Sequence, residues 1–186
     1  MNENKFSLLL NTFTPLFIIC FFLLDSMLFR NLKGIIFLMG LSVSVIFTIL
    51  VSNFIIPQSQ INKICVPFTV NNSSTFINFP LTLNILLYTV TALMYSMASN
   101  NYIIPNIGFI FLMFSFIIIN IHWLLQNNCF QTNNIIFSMI FGISGALIWN
   151  YILDKSKNKQ YIYILGISSD KTCQIPKRKT YKCKTK

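Results

Sequence analysis

Apolar residues run almost unbroken through five stretches of this chain, and short polar clusters separate them. The pattern predicts helical spans over residues 6–29, 34–56, 80–98, 102–125 and 134–153. Each is close to or above the ~20 residues that a helix needs to cross a ~30 Å hydrocarbon layer. The third stretch is the least apolar, because Thr82, Asn84, Thr89, Thr91 and Ser96 dilute it. Three links are short, so successive helices are expected as antiparallel neighbours in one compact bundle. The link over residues 57–79 is long and rich in Asn and Ser. The apolar run from Phe6 to Leu24 exceeds the ~7–15 residues of a signal-peptide core and lacks a small-x-small cleavage site, so it reads as a retained helix. Pro15 within it is tolerable in lipid, where neighbouring helices re-satisfy the freed carbonyl.

Composition turns a helical pattern into a statement about solvent. Of 186 residues, 54% are hydrophobic and only 10% charged, against about a quarter charged in a soluble domain. Between Lys33 and Asp154 the only formally charged residue is Lys63. A water-soluble fold is excluded on this ground, and the fold class is an all-α membrane protein: a bundle of five transmembrane helices over 1–153, with a basic tail over 154–186. The abundance of Phe, Ile, Asn, Lys and Tyr also points to an AT-rich genome.

The charge is lopsided. The formal net charge is +10, and 10 of the 14 Lys and Arg follow Leu153. Positive residues favour the cytoplasmic side. With five spans, a cytoplasmic tail also places Arg30 and Lys33 inside and leaves only Lys5 and Lys63 outside. The expected orientation is N-terminus outside and C-terminus cytoplasmic. In the tail, Lys155, Lys157, Lys159, Lys177, Arg178 and Lys179 are candidates to lie on anionic headgroups, at about 1 kcal/mol per basic residue near such a leaflet. An equal alternative is that they only set topology and solubility. The β-rich run Gln160–Ile167, the turn signal Ser168–Lys171 and Thr180–Cys183 allow a small β-hairpin there. Nothing resembles a specific nucleic-acid-binding signature.

On the non-cytoplasmic side the long link carries two overlapping glycosylation sequons, at Asn71 and Asn72. It also carries Cys65, and the link before the last span carries Cys129, so an oxidising compartment would permit a Cys65–Cys129 bridge. The favoured reading is plainer: chance sequons in an Asn-rich chain, and free cysteines. Cys20 reads as a small apolar filler within its span.

Within the spans, helix contacts in lipid rest on small residues and interhelical hydrogen bonds. Ser138, Gly142 and Ala146 recur at steps of four with Gly145 beside them, and Gly40, Ser44 and Thr48 recur likewise; both stripes are candidates for close helix–helix contact, preferably within one chain. Asn84, Tyr88, Thr91 and Tyr95 form a polar stripe on the third span. It can hydrogen-bond across the bundle, the commoner use, or line a polar path together with His122. Both His122 and Asp25 lie near span ends, where contact with water or headgroups makes them inexpensive, and a structural role is favoured for each.

A compact helical bundle with a late histidine is distantly similar to the type 2 phosphatidic acid phosphatases. Those enzymes need two histidines, a carboxylate and basic phosphate-binding residues. This chain has one histidine, and no carboxylate follows it before Asp154, so no catalytic residue carries over and no enzymatic activity is expected. Scattered carboxylates and separated cysteines likewise suggest neither a metal nor a cofactor. A closer resemblance lies in Cys173-Gln-Ile-Pro-Lys-Arg-Lys-Thr-Tyr-Lys-Cys183, together with Asn31-Leu32-Lys33-Gly34, Cys65-x-Pro67-Phe68 and a glycine-rich last span near Trp149. These resemble multi-pass membrane proteins of giant DNA viruses of protists. The resemblance implies a virion or virus-induced membrane and no assigned activity. It implies membrane lipids, anionic headgroups or an internal viral protein as partners, and Cys173–Cys183 as a further bridge to consider. Oligomeric state does not follow from it.

Overall fold

The computed structural model describes residues 3–28, 30, 32–55, 79–99, 107–156, 162, 171–174 and 182–185, with side chains from residue 13 onward in the helical region, Asn53 and Ile55 excepted. Five helices form: α1 (Glu3–Leu28), α2 (Lys33–Ile55), α3 (Leu81–Ser99), α4 (Ile107–Gln126) and α5 (Thr132–Lys155). Four segments, Lys33–Ser52, Leu81–Ser99, Ile107–Gln126 and Thr132–Lys155, are long and apolar enough to cross a membrane, and Phe13–Leu28 adds a shorter apolar helix. The residues 102–106 expected to open the fourth span lie outside the described set. Helix α5 runs past the expected end at 153 to Lys155, where the Ser156 N–H donates to the Ile152 carbonyl at 3.0 Å. A basic residue in a last helical turn complements the negative end of the helix dipole, so Lys155 closes the bundle and the tail starts two residues later than expected.

The least apolar helix occupies the centre. Helix α3 is 67% buried over its spanning window, against 33% or less in the other three. Every residue from Leu83 to Val90 is buried. Hydroxyls and amides are costly against hydrocarbon but inexpensive against other helices, so the span of lowest mean hydropathy is the one most shielded by the others. The remaining helices each turn one stripe inward. On α2 it runs Phe37, Gly40, Leu41, Ser44, Thr48 and Ser52; on α5 it runs Ser138, Gly142, Ala146 and Asn150 at steps of four. Their other faces expose Phe54, Phe111, Ile118 and Ile148. So continuous an apolar surface suits lipid and not water.

Contacts fix the directions. Asn84 meets Ser138 and Gly142, and Tyr88 meets Gly145, so α3 and α5 run parallel. Gly40 meets Trp149 and Ser44 meets Gly145, so α2 runs antiparallel to both. Helix α1 returns along α2 by way of a stacked Phe22–Phe37 pair, with ring centroids 4.0 Å apart. Gly34 lies directly on the Phe22 carbonyl, where any Cβ would collide; a close approach of two backbones is what puts glycine at that position.

The α4–α5 turn is tightly built. Cys129 N–H donates to the Leu124 carbonyl at 3.1 Å and Asn128 N–H to the Leu125 carbonyl at 3.2 Å. Asn128 has φ 48°. This is a Schellman cap, with Asn, the residue after glycine best suited to left-handed geometry, at its pivot. Cys129 follows the pivot and is buried beside Leu124.

Candidate functional site

The polar residues of the core cluster at two levels along α3. Near the start of α3, Asn84 Nδ2 donates to the Ser138 carbonyl at 3.1 Å, and Ser138 Oγ donates to the Pro80 carbonyl at 2.9 Å. These two bonds point in opposite senses between α3 and α5 and lock their ends in register. Both residues are fully buried. One turn further, Gly142 lets α5 rest on α3: an added Cβ would stand 2.8 Å from the Asn84 carbonyl oxygen and 3.2 Å from Leu87 Cβ. The second level lies deeper. Gly40 makes room for the Tyr88 hydroxyl and the Trp149 indole, and Gly145 makes room for the Ser44 hydroxyl. Tyr88 also meets Phe37 edge-on, centroids 5.6 Å apart. That contact extends the Phe22–Phe37 stack from α1 into the centre of the bundle.

The structure thus brings Gly40 and Ser44 of one small-residue stripe, and Ser138, Gly142 and Gly145 of the other, against partners in the same chain. Ala146 is fully buried. Thr48 spends its hydroxyl on the Ser44 carbonyl of its own helix, at 2.7 Å. Ser52, Thr89 and Ser96 likewise bond to carbonyls three or four residues back. Such local bonds let a hydroxyl lie in an apolar setting without a partner helix.

The stripe on α3 is not uniform. Asn84 and Tyr88 are buried, whereas Thr91 and Tyr95 are half-buried. His122 is exposed on α4, on a face apart from the inward residues Ile117, Asn120, Trp123 and Leu124. The five residues considered as one polar path are therefore not assembled as one: helical spacing on α3 carries no information about which way α4 is turned. Asp25 is half-buried on α1. Between α2, α5 and Phe79, just ahead of α3, lies a cavity of about 10 Å³, lined by Thr48, Ser52, Phe79, Phe137, Ser138 and Phe141 among others. It is about the least that a single water needs, and the hydroxyls around it are engaged elsewhere.

Some polar atoms of the core have no hydrogen-bond partner among the described residues: Asn84 Oδ1, Tyr88 Oη, Trp123 Nε1 and Trp149 Nε1. Sequence reasoning passed over Trp123, Asn134 and Asn150, all buried. Asn150 could have been found by continuing the Ser138–Gly142–Ala146 step by four; its Nδ2 donates to the Ala146 carbonyl at 2.8 Å. Trp123 and Asn134 carry no comparable signal.

At the bundle's ends, Lys155 is exposed and its Nζ lies 5.5 Å over the Tyr151 ring. Cys129 is disulfide-bonded, which corrects the expectation that it is free: its place after the Asn128 pivot points it inward, where a free thiol would have been simply a small apolar residue. Cys20 is a free, exposed thiol. Cys65, Asn71, Asn72, Lys157, Lys159, Lys177, Arg178 and Lys179 lie outside the described residues, as do the side chains of Cys173 and Cys183. Among the described residues, no three His, Cys, Asp or Glu side chains gather as a metal site would require.

Together these features define a class: a helical bundle with four helices long and apolar enough to cross a bilayer, and a polar core directed at itself. Comparison with protein-family models, with curated proteins and with solved structures finds no match.

Proposed function

We propose that the protein is a non-enzymatic, five-span component of a viral or virus-induced membrane, with its N-terminus outside and its basic tail on the cytoplasmic face. The observation that carries this reading is the division of labour along the chain. Within the bundle the polar groups pin helices to each other, as the Asn84–Ser138–Pro80 pair of bonds does, around a cavity no larger than one water. Formal charge collects instead beyond α5, at +8 from 9 basic residues against Asp170. Such a tail is drawn to anionic headgroups over about a Debye length. A small hairpin fits it: residues Lys171–Gln174 and Lys182–Thr185 lie antiparallel, with Cys173 opposite Cys183. The viral assignment rests on the resemblance of the Cys173–Cys183 segment and of Asn31–Gly34. A transporter reading has less support, since His122 is exposed and apart from the Asn84–Tyr88 core.

The test uses full-length protein in nanodiscs of neutral lipid, or of the same lipid with phosphatidylserine. Acylation of the tail lysines should slow in the anionic discs and recover in high salt. Equal labelling in both would refute the lipid contact. Finding the protein in purified virions by proteomics, or not, decides the viral assignment.

A further inference from the structure

We infer that the apolar belt of the bundle fits a thin bilayer, with a hydrocarbon core of about 24–28 Å, so that shorter-chain, sterol-poor phospholipid surrounds it in preference to the long-chain, sterol-rich kind. The inference rests on the membrane reading above and adds to it which membrane the protein fits. Thickness is fixed by where polar groups replace apolar ones on the faces turned away from the core. Helix α5 shows both boundaries. Its exposed large apolar residues run from Ile136 to Ile152, about 24 Å apart along the axis at ~1.5 Å per residue. Thr132 and Asn133 are exposed ahead of them, and Lys155 is exposed behind them. From Asn133 to Lys155 the axis rises about 33 Å, so α5 alone brackets the hydrocarbon between those two lengths.

The remaining helices place the fit within that bracket. Exposed apolar residues extend from Ile35 to Phe54 on α2 and from Ile107 to Leu125 on α4, about 28 and 27 Å. On α4, His122 is exposed one turn before the helix ends at Gln126. An imidazole on a lipid-facing surface draws water or headgroups to itself. The boundary at this end therefore lies near the His122 level, one turn inside the end of the bundle. At the other end, Lys155 Nζ donates to the Tyr151 hydroxyl at 3.3 Å. Tyrosine rings of this kind lie at headgroup level, so the polar layer begins about one turn inside Lys155. Both ends move the fit towards the lower part of the bracket. Tilt acts in the same direction, since an inclined helix spans less bilayer than its length. Ser42 and Ser115 do not interrupt the belt, because they donate to the Leu38 and Phe111 carbonyls of their own helices at 2.9 and 3.0 Å. An endoplasmic-reticulum bilayer has a core of about 27 Å, and a sterol- and sphingolipid-rich plasma membrane one of about 32–33 Å. The thicker one would leave His122 and Tyr151 inside hydrocarbon or force the lipid to thin around them; the thinner one requires neither.

The experiment reconstitutes the full-length protein in mixtures of two monounsaturated phosphatidylcholines, one forming a core of about 27 Å and the other about 33 Å, with bromine on the chains of one of them. Brominated chains quench tryptophan fluorescence on contact, and Trp149 is half-buried. Quenching should exceed the bromolipid's mole fraction when the shorter lipid carries the bromine and fall below it when the longer one does, a roughly twofold or greater enrichment of the shorter lipid around the bundle. The double change His122→Leu, Asn133→Leu lengthens the belt and should reduce or reverse that enrichment. Quenching that follows composition whichever lipid is brominated, enrichment of the longer lipid, or an enrichment that the double change leaves intact overturns the inference. Failure of the underlying membrane reading looks different: the protein would wash off the membranes of expressing cells in alkaline carbonate, before any two lipids are compared.

Discussion

Gly142→Ala and Gly108→Ala are the same chemical change in two helices, and the structure gives them opposite signs. At Gly142 the added methyl would stand 2.8 Å from the Asn84 carbonyl oxygen, 3.2 Å from Leu87 Cβ and 3.4 Å from Asn84 Cα. Two of these are backbone atoms of a buried helix and cannot rotate away. Restoring contact at about 3.5 Å requires α5 to withdraw from α3 by roughly 0.7 Å. The Asn84–Ser138 bond, already at 3.1 Å, would be stretched towards breaking. Overpacking costs about 1–3 kcal/mol, and an interhelical bond in lipid adds roughly 0.6 kcal/mol. Alanine returns at most ~1 kcal/mol through its better helix propensity. A net destabilisation of about 1–2 kcal/mol follows. At Gly108, by contrast, an added Cβ would meet nothing within 4 Å, so only the propensity gain remains, up to ~1 kcal/mol. Thermal unfolding in detergent, at about 2–4 °C per kcal/mol for a chain of this size, should lower Tm for Gly142→Ala and leave Gly108→Ala at or above the parent. If both variants shift the same way, or Gly142→Ala is neutral, the close approach of α5 to α3 is not what holds the core.

Tyr88→Phe should be neutral or slightly stabilising in the same assay, because it removes a fully buried hydroxyl that has no partner among the described residues, and an unmade hydrogen bond in such a place costs about 1–3 kcal/mol; a large loss of Tm would mean that the hydroxyl is bonded after all. Ser138→Ala should cost about 0.6–1 kcal/mol by removing the interhelical bond to the Pro80 carbonyl, which keeps the Asn84 N–H at 3.2 Å, while the Asn84 side chain keeps its bond because its acceptor is the Ser138 main chain; an unchanged Tm would count against the register lock. His122→Ala should shift stability by less than about 0.5 kcal/mol, as expected for an exposed side chain away from the core, and leave ion flux into liposomes unchanged from the parent; a flux lost on this change would revive the transport reading.

Much of the fold was legible because hydrocarbon selects residues one at a time. Transfer of each side chain into lipid is a nearly local quantity, so the five apolar runs, and the helix ends near Leu28, Ile55 and Ser99, follow from reading along the chain. The small-residue stripes were legible for a related reason: steps of four from Ser138 to Ala146 and from Gly40 to Thr48 place residues on one helix face whatever that face meets. The end of α5 was misplaced by two residues because Asp154 and Lys155 look like tail by charge, although a helix in water continues while its carbonyls find donors, as the Ile152 carbonyl does.

What the face meets is another matter. From residue order alone, Asn84 and Tyr88 can line a path with His122 or, the favoured reading, knit α3 to its neighbours, and Cys129 can be bonded or, the favoured reading, free. Only the tertiary structure turned His122 outward, set the most polar span at the centre, put Gly142 on the Asn84 backbone and Gly40 under Tyr88 and Trp149, and engaged Cys129. In lipid there is no general hydrophobic drive to bring one helix against another. The choice of neighbour falls to a few close backbone approaches and buried hydrogen bonds between residues such as Asn84 and Ser138, which are distant in sequence and declare their partners only when the chain has folded.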